Sequence, residues 1–166
     1  MRHTLRGSHY NVARRPDADN GENPVTGHMF FLPLLAQIVL VFWLYLRLAG
    51  AKALAVRNGQ VDQGRRALHD DAWPAPVMQI NNCIRNQFEV PVLFYVLMLV
   101  AWNLGLAGTV MLVFAWLFVI SRYVHAGVHT GSNYVPLRRN VFMLGCLVLM
   151  AMTVVILYAI LMSRLH

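Results

Sequence analysis

Charge is scarce in this sequence. Charged residues make up 13% of its 166 positions and hydrophobic ones 58%, which excludes a soluble core wrapped in a charged surface. Lys52 is the one lysine, and of the acids only Glu89 lies inside an apolar block. Two cysteines, Cys83 and Cys146, stand too far apart for a disulfide framework or a metal-ligand spacing, and read as free thiols. No HEXXH, GxSxG or Walker segment occurs, so the zinc-protease, serine-hydrolase and P-loop chemistries lack their usual signatures. The net charge of +7 would suit nucleic acid. However, the arginines flank apolar blocks and aromatics are not interleaved with them, so the basic balance reads as membrane topology.

What the chain has is long apolar runs. Four are expected to cross a bilayer, at about 29–50, 81–103, 109–129 and 140–162. Each is about 20 residues or more, enough for roughly 30 Å of hydrocarbon. The expected fold is therefore all-α, a four-helix transmembrane bundle over 29–166. Residues 1–28 are polar and unperiodic, without the apolar segment of a secretory signal. They read as a disordered N-terminal extension, either an upstream addition or not native to the protein.

An even number of spans puts both chain ends on one side. The opposite side carries Lys52, Arg57, Arg65, Arg66, Arg138 and Arg139, while the 104–108 hairpin has no charge. The excess of cations places loops 51–80 and 130–139 in the cytoplasm, in the inner membrane if the source is bacterial. The tail's Arg2, Arg6, Arg14 and Arg15 run against this placement.

Two polar clusters interrupt the apolar runs. Asn82, Arg85, Asn86 and Glu89 fall within an arc of about 100° on the second span. Arg122, His125 and His129 fall within about 60° on the third. An ionised group inside a span costs at least about 2.5–3.5 kcal/mol without a partner or water. Both faces should therefore look inward or at a neighbouring subunit. Two readings stay open: a structural clasp of Glu89 with Arg122 or Arg85, or a shared polar cavity. Zinc on His125 and His129 is not expected, since Glu89 is the lone nearby acid. Pro91 is expected to kink the second span just past Glu89. Phe142 and the other aromatics and methionines of the last two spans read as lipid-facing or core filling.

The segments Arg85-Asn86-Gln87-Phe88-Glu89-Val90-Pro91-Val92-Leu93-Phe94-Tyr95 and Arg122-Tyr-Val-His125-Ala-Gly-Val-His129-Thr-Gly-Ser-Asn133-Tyr-Val-Pro-Leu-Arg138 resemble the MAPEG family, the membrane-associated proteins in eicosanoid and glutathione metabolism, and in particular its bacterial branch. The likeness runs from Met29 to the C-terminus. It implies a homotrimer of twelve helices that binds glutathione between subunits. Arg85, Asn86 and Glu89 would contact glutathione. Arg122 and His125 match polar positions of the third helix, His129 stands where a characterised member has Tyr, and Arg138 matches an Arg near the glutathione thiol. Arg138 is thus the expected catalytic residue, as thiolate stabiliser. The sequence also departs from the family's pattern. Asn82 replaces a second helix-two Arg, Tyr134 stands where another member has its thiol-activating Arg, and Pro91 follows Glu89 by two residues where three are usual.

The resemblance implies a glutathione-dependent transferase or peroxidase acting on a lipophilic small molecule. The alternative is a non-catalytic trimeric membrane protein whose polar clasp is structural or binds lipid. The expected partners are further copies of the chain, membrane lipids and the lipophilic small molecule, with no nucleic acid.

Overall fold

A computed structural model describes residues 27 and 29–163, and the reading of the N-terminal tail lies almost wholly outside them. Five helices follow one another: α1 Leu32–Arg57, α2 Ala75–Gln87, α3 Val90–Asn103, α4 Thr109–Thr130 and α5 Val135–Met162. Among the described residues there is no strand. With α2 and α3 taken together, four stretches are long and apolar enough to cross a membrane: Met29–Arg57, Ala75–Asn103, Thr109–Thr130 and Val135–Met162. The shortest has 22 residues, about 33 Å at 1.5 Å per residue. The protein is an all-helical, four-span membrane protein.

Proline sets the helix starts. Pro33, Pro76, Pro91 and Pro136 each sit in the first turn of a helix, where the missing N–H costs nothing and the ring pre-sets φ. At Pro91 the result is more than the kink read from the sequence. The second span divides at Phe88 and Glu89, and α3 starts afresh at Val90. The same device starts the second span at Ala75 instead of Asn81, and the fourth at Val135 instead of Asn140. Arg138 and Arg139 therefore ride on the first turns of α5 and not in the preceding loop. At the other end, α1 runs on to Arg57 through helix-favouring alanines, with Ala55 buried.

Two apolar clusters hold the bundle. One joins α3, α4 and α5 through Phe94, Met98, Ala115, Phe118, Leu149 and Met152. The other joins α1, α2 and α4 through Leu40, Leu44, Leu48, Val77, Ile80 and Ala126. Between α1 and α2, Gln37 Nε2 donates to Gln87 Oε1 at 2.9 Å, both side chains being buried. Tyr123 ties α4 to α1 by donating to the Ala36 carbonyl at 2.8 Å. Gly145 lets α5 approach α4. A Cβ there would stand 3.0 Å from Ser121 Oγ and 3.8 Å from Arg122 Cδ, the small-residue contact that membrane helix pairs favour. Outward faces carry exposed Phe42, Leu46, Val154 and Tyr158, an apolar exterior suited to hydrocarbon.

The loop between α1 and α2 is fastened by polar contacts. Asp62 Oδ1 accepts from the backbone N–H groups of Gly64 and Arg65 at 3.0 and 3.2 Å. Arg65 pairs with Asp71 at 2.8 Å. Lys52 Nζ lies 4.8 Å from the Trp73 ring centroid, within cation–π range.

Candidate functional site

One face of α4 turns from apolar to polar after Val119. Ser121, Arg122, His125 and His129 are all buried there, at helical spacing. Arg122 is 0% exposed and is the largest fully buried side chain. Its guanidinium carbon lies 5.2 Å from the Phe142 ring centroid. Its Nε, Nη1 and Nη2 find no hydrogen-bond partner among the described residues. A charge taken out of water normally demands a partner, because its desolvation costs several kcal/mol (about that order).

His125 follows one turn on. Its Nδ1 lies 3.2 Å from the carbonyl oxygen of Arg138 on α5. Its ring stands 5.5 Å from that of His129 and 5.7 Å from that of Phe142. Arg138 is itself aimed by the turn before α5, where its Nη1 donates to Asn133 Oδ1 at 2.5 Å. Asn133 has φ +50°, a left-handed conformation that asparagine tolerates better than most residues. Its backbone N–H donates to the Val128 carbonyl at 2.7 Å, closing the end of α4.

These groups surround a cleft of about 300 Å³ at one end of the bundle, lined by Asn86, His125, His129, Arg138, Arg139 and Phe142 with Val135. The volume is at the small end of the range for ligand sites. Of the candidates read from the sequence, Asn86, His125, His129 and Arg138 meet here, with Arg122 beneath them against Phe142. Arg85 and Glu89 do not join them.

The clasp weighed from the sequence, Glu89 with Arg122 or Arg85, does not form within the subunit. Arg85 pairs with Asp70 of the α1–α2 loop. Glu89 is exposed at the break before α3, with no salt bridge among the described residues. The physical cause is local. Pro91 ends the regular helix at Gln87, so Glu89 does not continue the α2 face that carries Asn86, whereas Arg85, still inside α2, is held by Asp70.

Sequence reasoning missed Phe142, read as filler, which turns out to be the ring beneath both Arg122 and His125. It also passed over Asn133 as a positioning residue. Its signal was available, since asparagine beside glycine and serine at a helix end is a turn signature.

The fold and this cleft define a class: four-span membrane proteins with a cationic pocket at one end of the helices. The MAPEG family model matches residues 30–158, more than three quarters of the chain, and the protein belongs to that family. No curated protein and no solved structure matched the chain.

Proposed function

We propose that the protein is a glutathione-dependent transferase or peroxidase acting on lipophilic electrophiles that reach it through the bilayer. The observation that carries this reading is Arg122, fully buried with all three guanidinium nitrogens unpartnered among the described residues, behind a cleft bearing Arg138 and Arg139. Such a site calls for an anion. Glutathione offers two carboxylates and, once deprotonated, a thiolate.

The residues present fit that molecule. Arginine forks suit carboxylates bidentately, and Asn86 can accept from or donate to its amides. Arg138 is the proposed thiolate stabiliser. A free thiol has a pKa near about 8.5 and is mostly protonated at neutral pH, and an adjacent guanidinium favours the charged form. Glutathione supplies the nucleophilic sulfur, and the chain's part is to hold, orient and ionise it.

One feature left unpaired in one subunit supports a trimeric assembly. Glu89 is exposed beside the α2–α3 break, with no salt bridge among the described residues. In a homotrimer it would meet the neighbouring copy, where Glu89 suits the ammonium of glutathione. Segments 51–80 and 130–139, which carry Lys52, Arg57, Arg65, Arg66, Arg138 and Arg139, would face the cytoplasm, which supplies the thiol.

The exposed Glu89 also favours the second reading, a non-catalytic trimer in which Glu89 of one copy is clasped by an exposed cation of the next. A thermal-shift titration with glutathione on purified protein in detergent separates the two. The enzyme reading requires a concentration-dependent rise in melting temperature, and a thiolate ultraviolet band that is lost in Arg138→Ala with folding intact. Absence of any glutathione shift, with Glu89→Gln breaking the oligomer, establishes the clasp instead.

A further inference from the structure

Resting on the glutathione-dependent reading above, we infer that His125 is the base that takes the proton from the bound thiol. It is a catalytic residue whose free ring nitrogen is set by the backbone carbonyl of the residue that stabilises the thiolate.

The tautomer follows from the hydrogen bond. Nδ1 of His125 has one partner, the Arg138 carbonyl oxygen at 3.2 Å. A carbonyl oxygen has no proton to give, so Nδ1 carries the hydrogen and donates it. In a neutral imidazole Nε2 then holds the lone pair. That nitrogen is buried and has no partner among the described residues, while the ring lines the cleft. A base whose second nitrogen is fixed by a third group is the arrangement that activates nucleophiles on many folds.

The other groups around the ring do not compete. Arg122 on α4 and Arg138 and Arg139 on α5 have no lone pair to offer, and Asn86 on α2 does not titrate. His129 faces His125 nearly edge-on, at 82° between ring planes. Its Nδ1 is also unpartnered, so no hydrogen bond at that nitrogen selects a tautomer. His125 is the imidazole in the cleft with a defined acceptor.

In the step, the S–H bond breaks and its proton passes to Nε2. The electron pair stays on sulfur as a thiolate beside Arg138. Sulfur then forms a bond to the electrophilic carbon, and the bond displaced at that carbon gives its pair to the departing atom. That atom takes the proton back from Nε2, leaving the imidazole neutral. No oxidant is consumed.

His125→Asn is the discriminating variant. The asparagine amide nitrogen can keep the donor to the Arg138 carbonyl while removing the acceptor at Nε2. With the full chain in detergent and glutathione as probe, the variant should still bind glutathione. Its thiolate band should appear only at higher pH than in the wild type. Turnover with a lipophilic electrophile should fall by about 10²–10⁴-fold at neutral pH, the usual contribution of a positioned base, and the deficit should shrink as pH rises. A thiolate band and pH profile identical to wild type would overturn the inference and leave the glutathione reading standing. Wild-type protein showing neither glutathione shift nor thiolate band would remove both. Histidine-nitrogen NMR of the wild type decides the matter even if the variant does not fold. The inference requires hydrogen on Nδ1 alone in the free protein and on both nitrogens with glutathione bound, and a hydrogen on Nε2 in the free protein defeats it.

Discussion

Near its N-terminal end α4 buries Met111, Ala115 and Phe118, and farther along the same helix buries Arg122, His125 and His129. The first end is complete within one subunit. Phe118 stacks on Phe94 with ring centroids 4.6 Å apart, and such pairs add about 0.5–1.5 kcal/mol beyond the area they bury. The second end is incomplete. Arg122 has no hydrogen-bond partner, and His125 and His129 each leave one ring nitrogen unmatched among the described residues. Both ends sit in the same bundle on the same helix, so the difference is one of purpose. The apolar end contributes packing, and the polar end carries a desolvation cost that no hydrogen bond to Arg122 among the described residues offsets.

Breaking the apolar end should produce the largest effect. Phe118→Ala should lower unfolding stability by about 3–5 kcal/mol, read from a denaturation midpoint in detergent, while the glutathione shift survives. The opposite sign is expected at the polar end. Arg122→Met replaces a buried, unpartnered charge by a side chain of similar length. It should raise stability by about 1–4 kcal/mol without glutathione and abolish the glutathione-induced rise. If Arg122→Met instead destabilised the free protein severely, the guanidinium would already be paired and the contrast between the two ends would collapse.

How far the sequence revealed this division differs between fold and site. The spans were legible because apolar runs of bilayer length have few other uses. Their ends were less so. Pro76 reads as a breaker and Arg138 and Arg139 as the end of a loop, yet Pro76 and Pro136 sit in the first turns of helices there. The buried face of α4 was legible too, since Arg122, His125 and His129 repeat at helical spacing. What these groups meet was not. Arg85 pairs with Asp70 of a loop that has no periodicity, and Phe142 looks in sequence like any lipid-facing aromatic. The setting of Glu89 depends on where the second span breaks, and Pro91 marks that place without giving its geometry.

Between the two ends lies a smaller test of the same contrast. Gln37 and Gln87 form a buried amide pair, and Gln87 also donates to the Cys83 carbonyl at 3.3 Å. Gln87→Leu leaves the Gln37 amide without its partner and should cost about 1–3 kcal/mol, whereas Gln37→Leu with Gln87→Leu should be close to neutral. A double variant as unstable as the single would mean that the pair matters through packing shape and not through its polarity.

The smallest effect should come from the α1–α2 loop, where charges are paired but wet. Arg65 and Asp71 meet at 2.8 Å, with side chains 50% and 61% exposed. The hydrogen bond from Arg65 holds the Asp71 carboxyl below its ordinary range. A folded-state pKa lowered in this way contributes stability above the unfolded value of about 4, and that contribution is lost as pH falls through the folded value. Solvent screening keeps it slight, and salt weakens it further. Asp71→Asn should therefore leave the melting temperature at neutral pH unresolved from wild type and remove only a faint acid-side dependence. A drop rivalling that of Gln87→Leu would show that an exposed pair anchors the loop. The cost of charge in this fold would then follow from what each pair tethers as well as from how deeply it is buried.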